Sequence, residues 1–236
     1  MTIRRKIILK ELGLMPLWRT KPTSSTEDVP VENSTVLPLL EIKQMDWGQL
    51  KSEVKTCTAC PLSQTRTQTV FGVGNEQADW LYVGEGPGAK EDAMGEPFVG
   101  PAGKLLDNML VAIGLKREHQ VYITNIVKCR PPNNRNPNNN EAQQCEPYLA
   151  RQITLIKPKL IIALGKVAAQ NLLNTDDNIA SLRGTLHEYS GIPLIVTYHP
   201  AYLLRAQLEK AKVWEDLCFA KQTMQSLPAN NHLSIP

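Results

Sequence analysis

The chain has 236 residues, of which 42% are hydrophobic and 21% charged, with a formal net charge of +3. That length accommodates one generous domain plus an appendage, and the composition excludes wholesale disorder. The longest apolar run, Leu160 to Leu164, excludes a helical membrane span, which needs about 18–20 apolar residues, and the weak positive charge permits a nucleic-acid partner without demanding one.

Thr2 to Lys10 is basic and apolar, but its apolar stretch of three residues is too short for a secretory signal. Ile8, Leu9 and Leu12 share a face, Gly13 supplies a C-terminal cap and Pro16 prevents continuation, so residues 1–18 read as a short amphipathic docking peptide. Residues 19–45 carry Pro22, Pro30 and Pro38 among Ser, Thr and acidic residues without apolar periodicity, and read as a flexible linker. An apolar anchor on a tether suits a partner's groove; packing of the anchor on its own domain is the other reading. From residue 46 to 228 the pattern is a compact α/β domain, followed by a tail over 229–236. Helical patterns cover Trp47–Lys55, Ala102–Ile113, Glu141–Ile156, Val167–Leu173 and Leu203–Met224. Strand-like runs cover Trp80–Val83, Val121–Val127, Leu160–Leu164 and Leu194–Thr197. This alternation predicts a mainly parallel sheet covered on both faces, with ligands at the carboxyl ends of the strands.

Five cysteines in such a chain argue for thiols, a metal or a cluster rather than a disulfide framework. Cys57 and Cys60 form a C-x2-C pair, and Cys129 and Cys145 flank an Asn/Pro-rich loop. Spacing alone leaves tetrahedral zinc and a four-thiolate [4Fe–4S] cluster both open. Cys218, among Trp214, Leu217 and Phe219, reads as a core residue.

Three strand ends carry candidate chemistry. Gly84-Glu85-Gly86-Pro87-Gly88 follows the first strand, then Glu91-Asp92 and Pro97-Phe98-Val99-Gly100, which together set backbone amides, a carboxylate and an aromatic ring at one mouth. Thr124-Asn125 ends the next strand; its carboxamide can read a nucleobase edge, the other reading being a simple turn former. Lys128, Arg130 and Arg135 follow without an intervening acid, as a phosphate track or a solvated loop. Thr197-Tyr-His199-Pro-Ala-Tyr202-Leu203-Leu204-Arg205 follows the last strand; a lone histidine is more often structural than catalytic, but here Tyr202, Leu203 and Leu204 would make a wedge able to enter a base stack, with Arg205 on a phosphate.

These motifs, in this order and interleaved with the four cysteines, resemble the family 4 iron–sulfur uracil-DNA glycosylases over about Leu50 to Gln225. The resemblance rests on Gly84–Gly88 with Glu91-Asp92, Pro97–Gly103, Thr124–Pro132, Ala163–Gly165 and His199–Arg205. It implies a three-layer α/β/α sandwich around a mainly parallel four-stranded sheet, and a structural [4Fe–4S] cluster on Cys57, Cys60, Cys129 and Cys145. It also implies excision of flipped uracil from single- or double-stranded DNA in a bacterial cytoplasm, at the nucleoid, by a protein that is monomeric apart from its partners. In this reading Phe98 stacks under the base, Asn125 bonds its distinguishing edge, Glu91 crowds C5, Glu85 and Gly86 line the catalytic pocket, and His199 donates to the developing O2 anion. Lys128, Arg130, Tyr202, Leu203, Leu204 and Arg205 face the DNA. Better-known relatives carry a water-positioning Asp where this chain has Gly86, which favours a dissociative route led by leaving-group stabilisation. A DNA-crosslinking relative has a basic loop ending in histidine where this chain has residues 133–140, so that subfamily is disfavoured.

Arg4-Arg5, Leu9, Leu12-Gly13 and Trp18-Arg19 resemble the N-terminal peptide of the psi subunit of the bacterial replicative clamp loader. That implies chi-subunit binding and a tether to the replisome. The rival to an enzyme is therefore a non-catalytic psi-like adaptor on a glycosylase-like scaffold; an iron–sulfur electron carrier gives no reason for the Phe, Asn and His loops.

Overall fold

Residues 41–227 are described by a computed structural model. The docking peptide expected over residues 1–18, with Arg4, Arg5, Leu9, Leu12 and Trp18, lies outside them, as do most of the linker and the tail. Residues 41–44 are already helical and Ile42 is buried in the core, so the packed body begins before the boundary expected at residue 46.

Helix α1 (Trp47–Thr56) opens with a capping box in which Asp46 accepts the Gln49 amide and Gln49 answers the Asp46 amide. Strand β1 (Val73–Gly74) and β2 (Trp80–Gly84) follow, then α2 (Ala89–Met94) and α3 (Pro101–Ala112). Strand β3 (Val121–Asn125) leads through a short 3-10 turn into α4 (Asn139–Ile156), started by a second capping box between Asn138 and Glu141. Next come β4 (Leu160–Leu164), α5 (Lys166–Leu173), α6 (Ile179–Leu182), β5 (Leu186–Tyr189), β6 (Ile192–Thr197), α7 (Pro200–Leu203) and α8 (Lys210–Ser226).

The strands form one six-stranded sheet in the order β1-β3-β2-β4-β6-β5. The four central strands are parallel neighbours, whereas β1 on β3 and β5 on β6 pair antiparallel. The mainly parallel sheet of four expected strands is therefore the centre of a mixed sheet of six. Both edge strands are short and lack a continuous apolar run, which is why periodicity does not reveal them.

Side chains alternate across the central strands. Leu81, Val83, Ile161, Ala163, Leu194 and Val196 face α1, α4 and α5. Trp80, Tyr82, Ile123, Leu160, Ile162 and Ile195 face α3 and α8. Helices thus cover both faces, and each fully buried Leu or Ile contributes about 1.5–3 kcal/mol of burial free energy.

The last helix departs from expectation. The single helix expected over Leu203–Met224 is broken: α7 ends at Leu203, Ala206 leaves helical backbone angles (φ −116°, ψ 72°), and α8 begins at Lys210. Leu204 and Leu208 have helical spacing but are 44% and 92% exposed, so that stripe does not pack.

Candidate active site

The register sets the site. Gly84 and Asn125 are partners at the carboxyl ends of β2 and β3. Beyond them Ile126 N–H donates to the Gly84 carbonyl at 2.9 Å and Val127 N–H to the Glu85 carbonyl at 3.2 Å, so the two loops leave the sheet together. A pocket of about 400 Å³ opens there, and it gathers Glu85, Gly86, Glu91, Phe98, Asn125 and His199 from three strand ends. Its outer wall adds Pro131, Asn134, Arg135, Tyr202 and Arg205. Among the described residues, no lysine lines it.

Asn125 is 2% exposed and its Oδ1 has no hydrogen-bond partner among the described residues. An unpaired buried acceptor is costly, and one aimed at a pocket awaits a donor from a ligand. A Cβ on Gly84 would lie 2.4 Å from that oxygen and 2.7 Å from Phe98 Cζ. Glycine at this position is what lets the carboxamide and the ring approach each other.

Phe98 sits in the left-handed region at φ 56°, a strained conformation for a bulky residue. Arg117 holds it there: Nη1 donates to the Pro97 carbonyl and Nη2 to the Phe98 carbonyl, both at 3.0 Å, while Nε donates to Asp107 at 2.9 Å. Gly103 in α3 leaves room for the Phe98 carbonyl, which a Cβ would meet head-on. The Phe98 ring centroid lies 5.5 Å from that of His199.

His199 is the N-cap of α7, and its Nδ1 accepts the Ala201 N–H at 3.1 Å. In the neutral ring the proton is therefore on Nε2, which makes that nitrogen a donor. Burial pushes the His199 pKa down to about 4; Arg205 acts in the same direction and Glu91 opposes it. The imidazole is thus uncharged at neutral pH. Upstream, Thr197 Oγ1 donates to buried Asp216 at 2.6 Å, Arg183 Nε donates to the same carboxylate at 2.8 Å, and the Arg183 guanidinium lies 4.5 Å over the Tyr198 ring.

Burial raises the Glu85 carboxyl above the ordinary carboxylate range. Glu91 is pinned, its Oε1 accepting the amides of Val99 and Gly100 at 3.0 Å each. Gly86 brings no carboxylate, and a Cβ there would press within 2.8 Å of Val127.

The outer residues divide. Tyr202 and Leu204 are exposed, as is Arg205, but Leu203 is 1% exposed and belongs to the core. Of the three residues expected as a wedge, only Tyr202 and Leu204 stand outward, because the helical turn points the middle one inward. Lys128 is also corrected: it is 1% exposed, its Nζ donating to Thr124 Oγ1 at 2.6 Å and to the Asn125 carbonyl at 2.8 Å, so it touches no phosphate. Arg130 is half-buried with Nε donating to Asn134, and Arg135, bidentate on Glu141, is among the residues that line the pocket.

Cys57, Cys60, Cys129 and Cys145 line one small cavity beside Arg66, Lys128 and Tyr148. None of the five cysteines is in a disulfide, and Cys218 is half-buried and apart from the cavity. Arg66 Nη1 donates to Cys129 Sγ at 2.9 Å and Nη2 to the Cys57 carbonyl at 2.8 Å. The Lys128 backbone N–H donates to Cys145 Sγ at 3.3 Å. Burial raises the Cys60 and Cys129 thiols and pushes Cys145 up to about 12. Among the described residues no three such side chains stand at metal-ligand spacing. Four thiols in one cavity, with N–H donors on two sulfurs and a cationic guanidinium alongside, nevertheless form a donor set that suits a four-thiolate iron–sulfur cluster.

Residues 71–218 match the profile of the Uracil DNA glycosylase superfamily. Type-4 uracil-DNA glycosylases resemble the chain over most of their own length. The one from Archaeoglobus fulgidus is 46% identical over 184 residues, 72% of this chain and 92% of the relative. That from Pyrobaculum aerophilum is 42% identical, with 73% and 92% covered, and that from Thermotoga maritima 44% identical, with 73% and 91% covered. The chain belongs to the type-4 uracil-DNA glycosylases.

Several residues of this type-4 site escape sequence reasoning. Arg117, nineteen positions from Phe98, sits in an ordinary Lys-Arg-Glu stretch and carries no local signal, and the same holds for Arg66. Asp92, noted only beside Glu91, is buried and accepts the amides of Thr67 and Gln68. Asp216 has a signal: it shares the buried face of α8 with Val213, Leu217 and Ala220, where a lone acid demands a partner.

Proposed function

We propose that this chain is a monofunctional uracil-DNA glycosylase that hydrolyses the N-glycosidic bond of extruded deoxyuridine and so initiates base-excision repair. The observation that carries the reading is the unpartnered Asn125 Oδ1 in a pocket shared with Phe98 and His199. Uracil presents an N3–H donor to such an acceptor. Cytosine presents a bare N3 there, which leaves the acceptor unpaired at about 1–3 kcal/mol. Phe98 supplies the stacking face, and the rigid Glu91 carboxylate crowds C5 against the thymine methyl.

As the C1′–N1 bond breaks, its electron pair leaves with the base and charge gathers on O2. The neutral His199 donates Nε2–H to that oxygen, a contact that strengthens as the charge develops. Water adds to C1′ and loses a proton, and the released uracil anion takes one up at N1. With Gly86 in the turn, leaving-group stabilisation dominates and water attacks late. A pocket wall without lysine among the described residues agrees with hydrolysis rather than an amine-linked intermediate. Tyr202 and Leu204 fill the gap left in the base stack, with Arg205 and Arg130 on the backbone.

Cys57, Cys60, Cys129 and Cys145 would hold a [4Fe–4S] cluster whose iron–thiolate bonds cross-link the α1 exit, the β3 loop and α4. Its support is the shared cavity and donor set together with the family resemblance. Docking of residues 1–18 on the chi subunit rests on sequence resemblance; recovery of chi should fall when residues 1–20 are removed, and equal recovery refutes it.

The deciding assay is release of uracil from a uracil-containing oligonucleotide, with a thymine-containing control. We expect release by the wild type and a fall of about 10²–10³ in kcat for His199→Ala. No release by iron-loaded wild type overturns the activity, and full activity in His199→Ala overturns the assignment of roles.

A further inference from the structure

Between the pocket and the cysteine cavity stands one residue that neither recognition nor ligation accounts for. Lys128 is among the largest fully buried side chains of the protein. Its Nζ donates to the carbonyl of Asn125 at 2.8 Å and to Thr124 Oγ1 at 2.6 Å. Thr124 Oγ1 in turn donates to the Phe71 carbonyl at 3.0 Å, which also takes a proton from Gln152 Nε2 at 2.9 Å. The ammonium therefore clamps the last turn of β3, whose Asn125 side chain is the buried, unpaired reader of the pocket.

The same lysine lines the cysteine cavity and gives its backbone N–H to Cys145 Sγ. No carboxylate pairs with it among the described residues, and Cys129 and Cys145 line the same cavity. A buried cation without a counter-charge is strongly unfavourable. Thiolates bound to an iron–sulfur cluster carry net negative charge, and Cys129 is the residue next to Lys128 in the chain.

We propose that Lys128 is a positioning residue that links the occupied cysteine cavity to base recognition: cluster-bound thiolates hold its ammonium in place, and the ammonium fixes Asn125. This rests on the proposed uracil-excising activity and on the cluster. Cavity and pocket are thereby joined across five residues, from Asn125 to Cys129. The linkage predicts that charge at position 128 affects how well uracil is held more than how fast the bond breaks.

The test compares wild type, Lys128→Met, Asn125→Ala and the double variant, each purified with iron and assayed on a uracil-containing oligonucleotide. Lys128→Met should raise KM at least tenfold while kcat falls less. In the Asn125→Ala background the same change should move KM less than twofold, because its target is gone. Chelator-driven loss of absorbance near 400 nm should be several-fold faster in Lys128→Met than in wild type, a readout independent of activity. An inactive wild type refutes the underlying activity rather than this linkage. With an active wild type, an unchanged KM and chromophore decay in Lys128→Met overturns the linkage, as does a full KM effect retained without Asn125. Should Lys128→Met fail to accumulate, Thr124→Val removes the other acceptor of the same ammonium and must show the same KM shift in smaller measure; no shift overturns the proposal.

Discussion

The pocket and the cysteine cavity both draw on the loop that follows β3, yet they treat polar atoms in opposite ways. In the pocket Asn125 Oδ1 is left without a partner among the described residues, and Phe98 is held in a strained backbone conformation. In the cavity the sulfurs of Cys129 and Cys145 already accept N–H donors from Arg66 and Lys128. A ligand that arrives and departs is met by unpaired groups, because pairing is the binding energy. A group that stays is met by donors already in place, because its charge must be matched throughout the life of the fold.

The largest effect is expected on the cavity side. Cys145→Ser should lose the absorbance near 400 nm and cost more than about 4 kcal/mol of unfolding free energy in denaturant titration, the range of a lost structural metal. Retained iron with wild-type stability would erase the contrast. On the pocket side Gly84→Ala should lower kcat/KM about 10–100-fold with iron content unchanged, because its Cβ would displace both Asn125 Oδ1 and Phe98. Wild-type kinetics in that variant would mean that the close approach is unnecessary.

The smallest effect is that of acid. With His199 depressed to about 4 from its ordinary 6.5, kcat should stay nearly level from pH 7 to 5 and fall only near pH 4. A limb near 6.5 contradicts a neutral, buried imidazole. The stability sign follows: between about 6.5 and 4 the unfolded chain binds a proton on this histidine that the folded chain refuses. The folded state therefore loses stability as pH falls through that window, and His199→Gln should flatten the loss in denaturant titrations.

The centre of the fold is legible in the sequence because parallel strands buried on both faces are continuous apolar runs, as at Leu160–Leu164. Strands β1 and β5 are hidden from it, being short edge strands half open to solvent. The motif loops placed Phe98, Asn125 and His199 at one end of the sheet, and they meet in one pocket. What the loops could not tell is side-chain direction. Lys128 belongs to a basic run and points inward; Leu203 belongs to an apolar tip and is core. Partners distant in sequence, such as Arg117 for Phe98 and Arg183 for Asp216, have no local periodicity to betray them.

His199 is tied to the turn that follows it. Its Nδ1 accepts the Ala201 amide, and the Tyr202 N–H donates back to the His199 carbonyl at 2.9 Å. In the proposed mechanism the residue that fills the vacated base position and the residue that meets the extruded base are thus teeth on a single gear. Adding one residue between them would swing Tyr202 by about 100° around the turn while leaving His199 in its seat. Depth of entry into the duplex and delivery of the base are in that sense indexed to each other, and the spacing from 199 to 202 is as much a functional constant as either side chain.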